Sequence, residues 1–182
     1  MIEKQEFEDI LATADVIHTP QEVAAAVSRV AQEITEKLGD TNPLLLCVMS
    51  GGVPFAGHLM TQLHFALEFD YLHVTRYGQE TSGGALSWRS APWTSVEGRT
   101  VIVLDDILDE GMTLAAIVER LKELGAAECY TAVATEKLNG KKKPIKADFI
   151  ALTVPDRFVF GFGMDVRGAF RNLPGIYAMK GC

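Results

Sequence analysis

Three cysteines in 182 residues carry no metal-ligand or redox spacing. Cys47 and Cys129 fall inside apolar runs that read as strands, and Cys182 is the last residue. Reduced thiols and a cytoplasmic home are expected. The four histidines, His18, His58, His64 and His73, lack zinc spacing. No apolar run approaches a membrane-spanning length. The charged start Met1-Ile2-Glu3-Lys4-Gln5-Glu6 has no signal-peptide core. Basic residues are in deficit, with 17 Lys and Arg against 24 Asp and Glu, for a net charge of −7. That balance is a poor footprint for nucleic acid. It also sets a condition on any anionic substrate: placed cations or a divalent metal must offset the repulsion. Internal repeats and low-complexity linkers are missing as well.

What remains is a folded-domain composition, 48% hydrophobic and 23% charged. A chain of this length buries one sizeable core. A short helix is predicted near residues 5–14. Thr19-Pro20-Gln21-Glu22 is a helix start, with a Thr cap, Pro at the first position and Glu three past the cap. That helix runs to about Leu38 and stops at Gly39. Leu44 to Met49 is a buried strand, Val53 to Leu63 a helix, and Leu67 to Arg76 an alternating strand. Residues 77–85 are rich in Gly, Ser and Thr and read as a loop, with Leu86 to Pro92 as a returning arm. Strand 100–104, helix 114–124 ended by Gly125, strand 128–135 and strand 149–153 follow. Trp88 and Trp93 read as packing residues. The alternation predicts an α/β fold, a mostly parallel twisted sheet flanked by helices.

The most informative stretch is Val101-Ile102-Val103-Leu104-Asp105-Asp106-Ile107-Leu108-Asp109-Glu110-Gly111-Met112-Thr113. A strand buried on both faces runs into two adjacent acids. A third acid, a glycine and a hydroxyl follow, and then a helix begins. Such clusters sit at the C-terminal edge of an open α/β sheet, where ligands bind. Gly111 allows a tight turn and close backbone approach, and Thr113 sits where a helix N-terminus offers N–H groups to an anion. A phosphate cradle fringed by carboxylates suits a phosphorylated sugar: amides for the phosphate, carboxylates for the hydroxyls.

This pattern resembles the 5-phosphoribosyl-1-pyrophosphate signature of the type I phosphoribosyltransferases, and about residues 40–175 resemble that family's bacterial hypoxanthine-guanine members. The resemblance implies one domain over residues 1–182, with a core at about 40–140 and a small base-binding hood from about 1–15 and 146–182. It implies purine salvage: transfer of phosphoribosyl to hypoxanthine or guanine, giving IMP or GMP and pyrophosphate. A xanthine-preferring transferase and a non-catalytic regulator of the same fold are the alternatives. Asp105 and Asp106 would hold ribose hydroxyls and help place Mg2+, and Asp165 would hold the metal directly or through water. Asp109 would be the general base. Glu110, Gly111, Met112 and Thr113 would cradle the 5′-phosphate through backbone N–H groups, with the Glu110 side chain pointing away. Met49 and Ser50 stand where this branch often has Leu-Lys, so Ser50, Gly51 and Gly52 would meet pyrophosphate through backbone amides. Tyr77 belongs to an Arg76-Tyr77-Gly78 hood loop that would exclude water. Lys146 would donate to the purine O6, Phe158 would stack on the base, Val159 would meet its exocyclic edge, and Arg171 would grip pyrophosphate. Homodimers or homotetramers are expected, with no nucleic acid or membrane partner.

Overall fold

The acidic stretch lies near the middle of a six-stranded sheet in a computed structural model, which describes residues 4–76 and 86–181. The elements in chain order are α1 (Lys4–Thr13), β1 (Asp15–His18), α2 (Pro20–Leu38), β2 (Leu44–Val48), α3 (Val53–Met60), β3 (Glu68–Arg76) and β4 (Leu86–Ser90). They continue as β5 (Thr100–Leu108), α4 (Met112–Glu123), β6 (Glu128–Leu138), β7 (Phe149–Pro155), β8 (Val159–Phe160) and β9 (Ile176–Ala178). The sheet order is β4-β3-β2-β5-β6-β7, and every pairing is parallel except β3 with β4.

Both faces of this sheet are covered. Leu45, Cys47, Ile102 and Leu104 face a core shared with α2 and α3. Leu44, Leu46, Val101 and Val103 face a second core shared with α4. All five residues of β2 are buried, which accounts for its unbroken apolar run. Helix α2 starts in a full capping box, Thr19 with Glu22, and buries Val23, Val27, Val30 and Ile34 at helical spacing. Gly39 ends it in the right-handed conformation, and a side chain there would press on the Thr35 carbonyl.

A second, three-stranded antiparallel sheet has the order β1-β9-β8 and joins the two ends of the chain. Its own cluster is Phe160, Val166 and Phe170, onto which α1 packs through Phe7, 4.8 Å from Phe170 in an edge-on contact. Strand β1 was not expected from the sequence, because four residues with two half-exposed give no clear alternation. Trp88 packs against the core, whereas Trp93 is 87% exposed and packs on little. No helix among the described residues is long and apolar enough to cross a membrane.

Candidate active site

Strands β2 and β5 are neighbours, yet the chain leaves them toward opposite edges of the sheet, to β3 and to β6. Their C-terminal ends therefore open a crevice at the switch in strand order. A cleft of about 340 Å³ lies there, walled by the residues after β2 on one side and by Asp105 to Thr113 on the other.

Gly111 lines the far wall of the cleft. Its φ of +80° is left-handed, and an added side chain would crowd Leu108 and Ile145. Helix α4 starts immediately after it, so first-turn N–H groups face an anion placed there. Glu110, Gly111 and Thr113 line the cleft. The Met112 side chain does not and is exposed, so only its backbone is available to a ligand. The Glu110 carboxylate turns to Lys141 Nζ, 3.1 Å away.

Across the cleft, Ser50 and Gly51 line the wall. Gly52 does not: its N–H donates to the Val48 carbonyl at 3.0 Å and so closes the turn instead of facing a ligand. Gly51 is packed so tightly on Asp106 that any side chain would overlap the carboxylate. Gly163, at φ +106°, rests in the same way on the Gly51 carbonyl. The second sheet's loop is thereby seated on the turn after β2.

The two adjacent acids lie inside β5, which runs on to Leu108 and not only to Leu104. Asp105 Oδ1 accepts the Asp106 N–H at 2.9 Å. Burial, and then the Asp106 charge, push the Asp105 carboxyl well above the usual range. Burial also raises Asp106, against the pull of Asp105's hydrogen bond and the Arg171 charge. Arg171 places Nη2 2.6 Å from Asp165 Oδ1 and Nη1 3.8 Å from Asp106 Oδ2. Its Nη1 also donates to the Gly163 carbonyl at 2.6 Å. Among the described residues, no three Asp, Glu, His or Cys side chains close around one point as a protein metal cage does. Asp105, Asp106 and Asp165 do share one cleft. An all-oxygen set of that kind suits magnesium held by one or two carboxylates, waters and substrate oxygens.

A smaller cavity of about 180 Å³ continues from the cleft, sharing Asp106, Ile107, Asp109 and Asp165 with it. Lys137, Phe158, Val159 and Met164 complete its wall. Phe158 is 46% exposed and Val159 is buried. Lys146 is not part of this wall. It is exposed, and the hollow it lines with Lys141 and Lys143 shares only Lys137 with this cavity. Lys137, and not Lys146, stands in the wall beside Phe158. The reason is strand length: β6 continues three residues past Thr135 and carries Lys137 up to the acid loop. Register settles the rest, since Glu136 is paired with Leu108 of β5. The charged pair Glu136-Lys137 looks like a strand end in sequence, and only pairing with β5 and β7 carries the strand through it.

Lys137 is 15% exposed, and its Nζ lies 2.8 Å from Asp109 Oδ2. Asn139 Nδ2 donates to Asp109 Oδ1 at 2.9 Å. Burial acts to raise the Asp109 carboxyl, but Lys137, by hydrogen bond and charge, and Asn139 outweigh it and hold it below the ordinary value. Asp109 is thus ionised and facing the cavity. Tyr77 lies outside the described residues. Lys137, Asn139, Gly163 and Met164 are the site residues that sequence reading missed.

Comparison with known proteins places this arrangement. Residues 13–167 match the phosphoribosyl transferase domain. A hypoxanthine-guanine phosphoribosyltransferase of Bacillus subtilis (strain 168) is 36% identical over 166 residues, 91% of this chain and 92% of that protein. One from Streptococcus thermophilus (strain CNRZ 1066) is 32% identical over the same shares. The solved structure of a hypoxanthine-guanine-xanthine phosphoribosyltransferase superposes with a TM-score of 0.84 at 30% identity, over 92% of this chain and 98% of that one. Domain match, sequence relatives and superposition all span the crevice between β2 and β5, and on that ground the chain belongs to the phosphoribosyltransferase family, among its hypoxanthine-guanine members.

Proposed function

We propose that this protein transfers the 5-phosphoribosyl group of phosphoribosyl pyrophosphate to hypoxanthine or guanine, releasing pyrophosphate, in purine salvage. One observation carries the reading: the cleft at the Gly111 turn and the aromatic cavity at Phe158 adjoin, with Asp106, Ile107, Asp109 and Asp165 in the walls of both. The 5′-phosphate rests on the N–H groups that open α4. The ribose hydroxyls donate to Asp105 and Asp106. Phe158 stacks on the purine, and the Lys137 ammonium donates to its O6. An ammonium fits a carbonyl oxygen and repels an exocyclic amine, so 6-oxopurines are selected over adenine. As the base attacks the anomeric carbon, Asp109 accepts the proton from a ring nitrogen. Arg171 and the amides of Ser50 and Gly51 take the departing pyrophosphate. Magnesium, bound near Asp105, Asp106 and Asp165, supplies charge that offsets the pyrophosphate. This arrangement also answers the repulsion expected from a net charge of −7.

Purified protein, magnesium and phosphoribosyl pyrophosphate are mixed with hypoxanthine, guanine, xanthine or adenine in turn, and ultraviolet absorbance follows nucleotide formation. Turnover with hypoxanthine or guanine and none with adenine is expected. Turnover with xanthine alone shifts the assignment to a xanthine-preferring enzyme, and no turnover with any base overturns it in favour of a ligand-binding regulator. A cytoplasmic homodimer or homotetramer accompanies this reading, and light scattering measures its mass.

A further inference from the structure

We propose that Asn139 is a positioning residue for Asp109, gripping one carboxylate oxygen so that the other stays aimed at the purine while Lys137 changes partner. The inference rests on the reading of Asp109 as the base. Asn139 stands one residue past β6. Its Nδ2 donates to Asp109 Oδ1 at 2.9 Å and to the Asp109 carbonyl at 3.3 Å. Its Oδ1 accepts the Lys141 N–H at 3.1 Å, which fixes which end of the amide faces the acid. The other Asp109 oxygen belongs to Lys137, at 2.8 Å.

A purine in the cavity competes for Lys137, because its carbonyl oxygen is also an ammonium acceptor. When the ammonium turns to the base, Oδ2 is released at the moment it must receive a proton. The purine N–H bond breaks, its electron pair stays in the ring, and the proton bonds to Oδ2. A carboxylate with no other tie rotates freely then, and near-attack geometry is lost. The Asn139 bond lies on the opposite oxygen and survives the exchange.

The frame around the pair does not depend on Asn139. Lys143, whose side chain is 11% exposed, donates to the Leu108 carbonyl at 3.0 Å and the Lys137 carbonyl at 2.7 Å, and pairs with Glu136 at 3.1 Å. Those three contacts use all three ammonium donors and tie the ends of β5 and β6 together. The charged groups around Asp109 are Lys137, Lys141 and Lys143 from β6 and its loop, neighbouring Glu110, Asp106 of β5, and Asp165 beyond β8.

The test compares Asn139→Ala and Asn139→Asp with the parent enzyme and with Asp109→Asn. Asn139→Asp keeps the shape and the acceptor for Lys141 but presents an oxygen to Asp109. Both Asn139 variants should lower kcat about tenfold, part of the roughly 10²–10⁴ that general-base catalysis contributes. The KM for phosphoribosyl pyrophosphate should stay within about twofold. The acidic limb of the kcat–pH profile should move to higher pH, further in Asn139→Asp. Parental kcat and pH profile in both, or a lowered melting temperature with those two unchanged, overturns the proposal while Asp109→Asn remains inactive. Parental turnover in Asp109→Asn overturns the base assignment itself, and this inference with it.

Discussion

Lys137 Nζ and Asp109 Oδ2 are 2.8 Å apart although the residues are 28 positions apart in the chain. They meet because β5 and β6 are adjacent and parallel, so their C-terminal ends arrive together. The pair links the two ends of the site. Asp109 stands beside the Gly111 turn, and Lys137 stands in the wall that holds Phe158.

Lys137→Met should reduce kcat/KM for hypoxanthine and guanine about 100-fold, which is roughly the 3 kcal/mol lost with a charged hydrogen bond. The same change removes the largest influence that lowers the Asp109 carboxyl. A base works deprotonated, so a lowered carboxyl keeps it active at mildly acidic pH. In Lys137→Met the acidic limb should move upward. Lys146→Met should leave base selectivity unchanged, since Lys146 is exposed and does not line the cavity at Phe158. Steady-state kinetics across pH with both variants measures the contrast.

Phe158→Ala should raise the KM for the purine about tenfold, the worth of one base–aromatic stack. Phe158 is half exposed, so little core is lost and the melting temperature should change only slightly. Calorimetric titration of the base, with thermal unfolding alongside, separates stacking from stability.

Gly163→Ala should destabilise the protein by about 3 kcal/mol. Its φ of +106° disfavours any side chain, and the new methyl would overlap the Gly51 carbonyl. The turn after β2 must shift to admit it, so the Ser50 and Gly51 amides should hold pyrophosphate less well and its release should quicken. Denaturant unfolding and product-release kinetics report the two effects.

Asp70 provides a pH test independent of the site. It is buried, and its carboxylate accepts N–H groups from Tyr71 at 2.8 Å, Trp93 at 2.7 Å and Thr94 at 2.8 Å. Burial raises its carboxyl, but these bonds together hold it below the ordinary value. Its stabilisation is therefore complete above the unfolded carboxylate value of about 4 and fades as pH falls through the lower folded value. Asp70→Asn should cost about 1–3 kcal/mol at pH 7, and the difference from the parent should shrink below about pH 4. Urea unfolding at several pH values checks it.

Signals that depend on near neighbours in the chain were legible in advance. The capping box at Thr19 and Glu22, the apolar run of β2, and the acid–glycine–threonine order from Asp105 to Thr113 follow from short-range periodicity, capping and backbone freedom. These determined an α/β chain with a glycine turn and a helix start beside paired acids. Tertiary structure decided where strands end and which distant side chains meet. β5 runs through Asp105 and Asp106 alongside β6, and β6 runs through Glu136 and Lys137 alongside β7, because a neighbouring strand takes up their backbone hydrogen bonds. A charged residue looks like a strand end only until those partners are known. The place of Lys137 beside Asp109, the bond from Asn139 to Asp109 and the seating of Gly163 on Gly51 all follow from register and loop packing between distant segments. Local sequence carries no term for such distances.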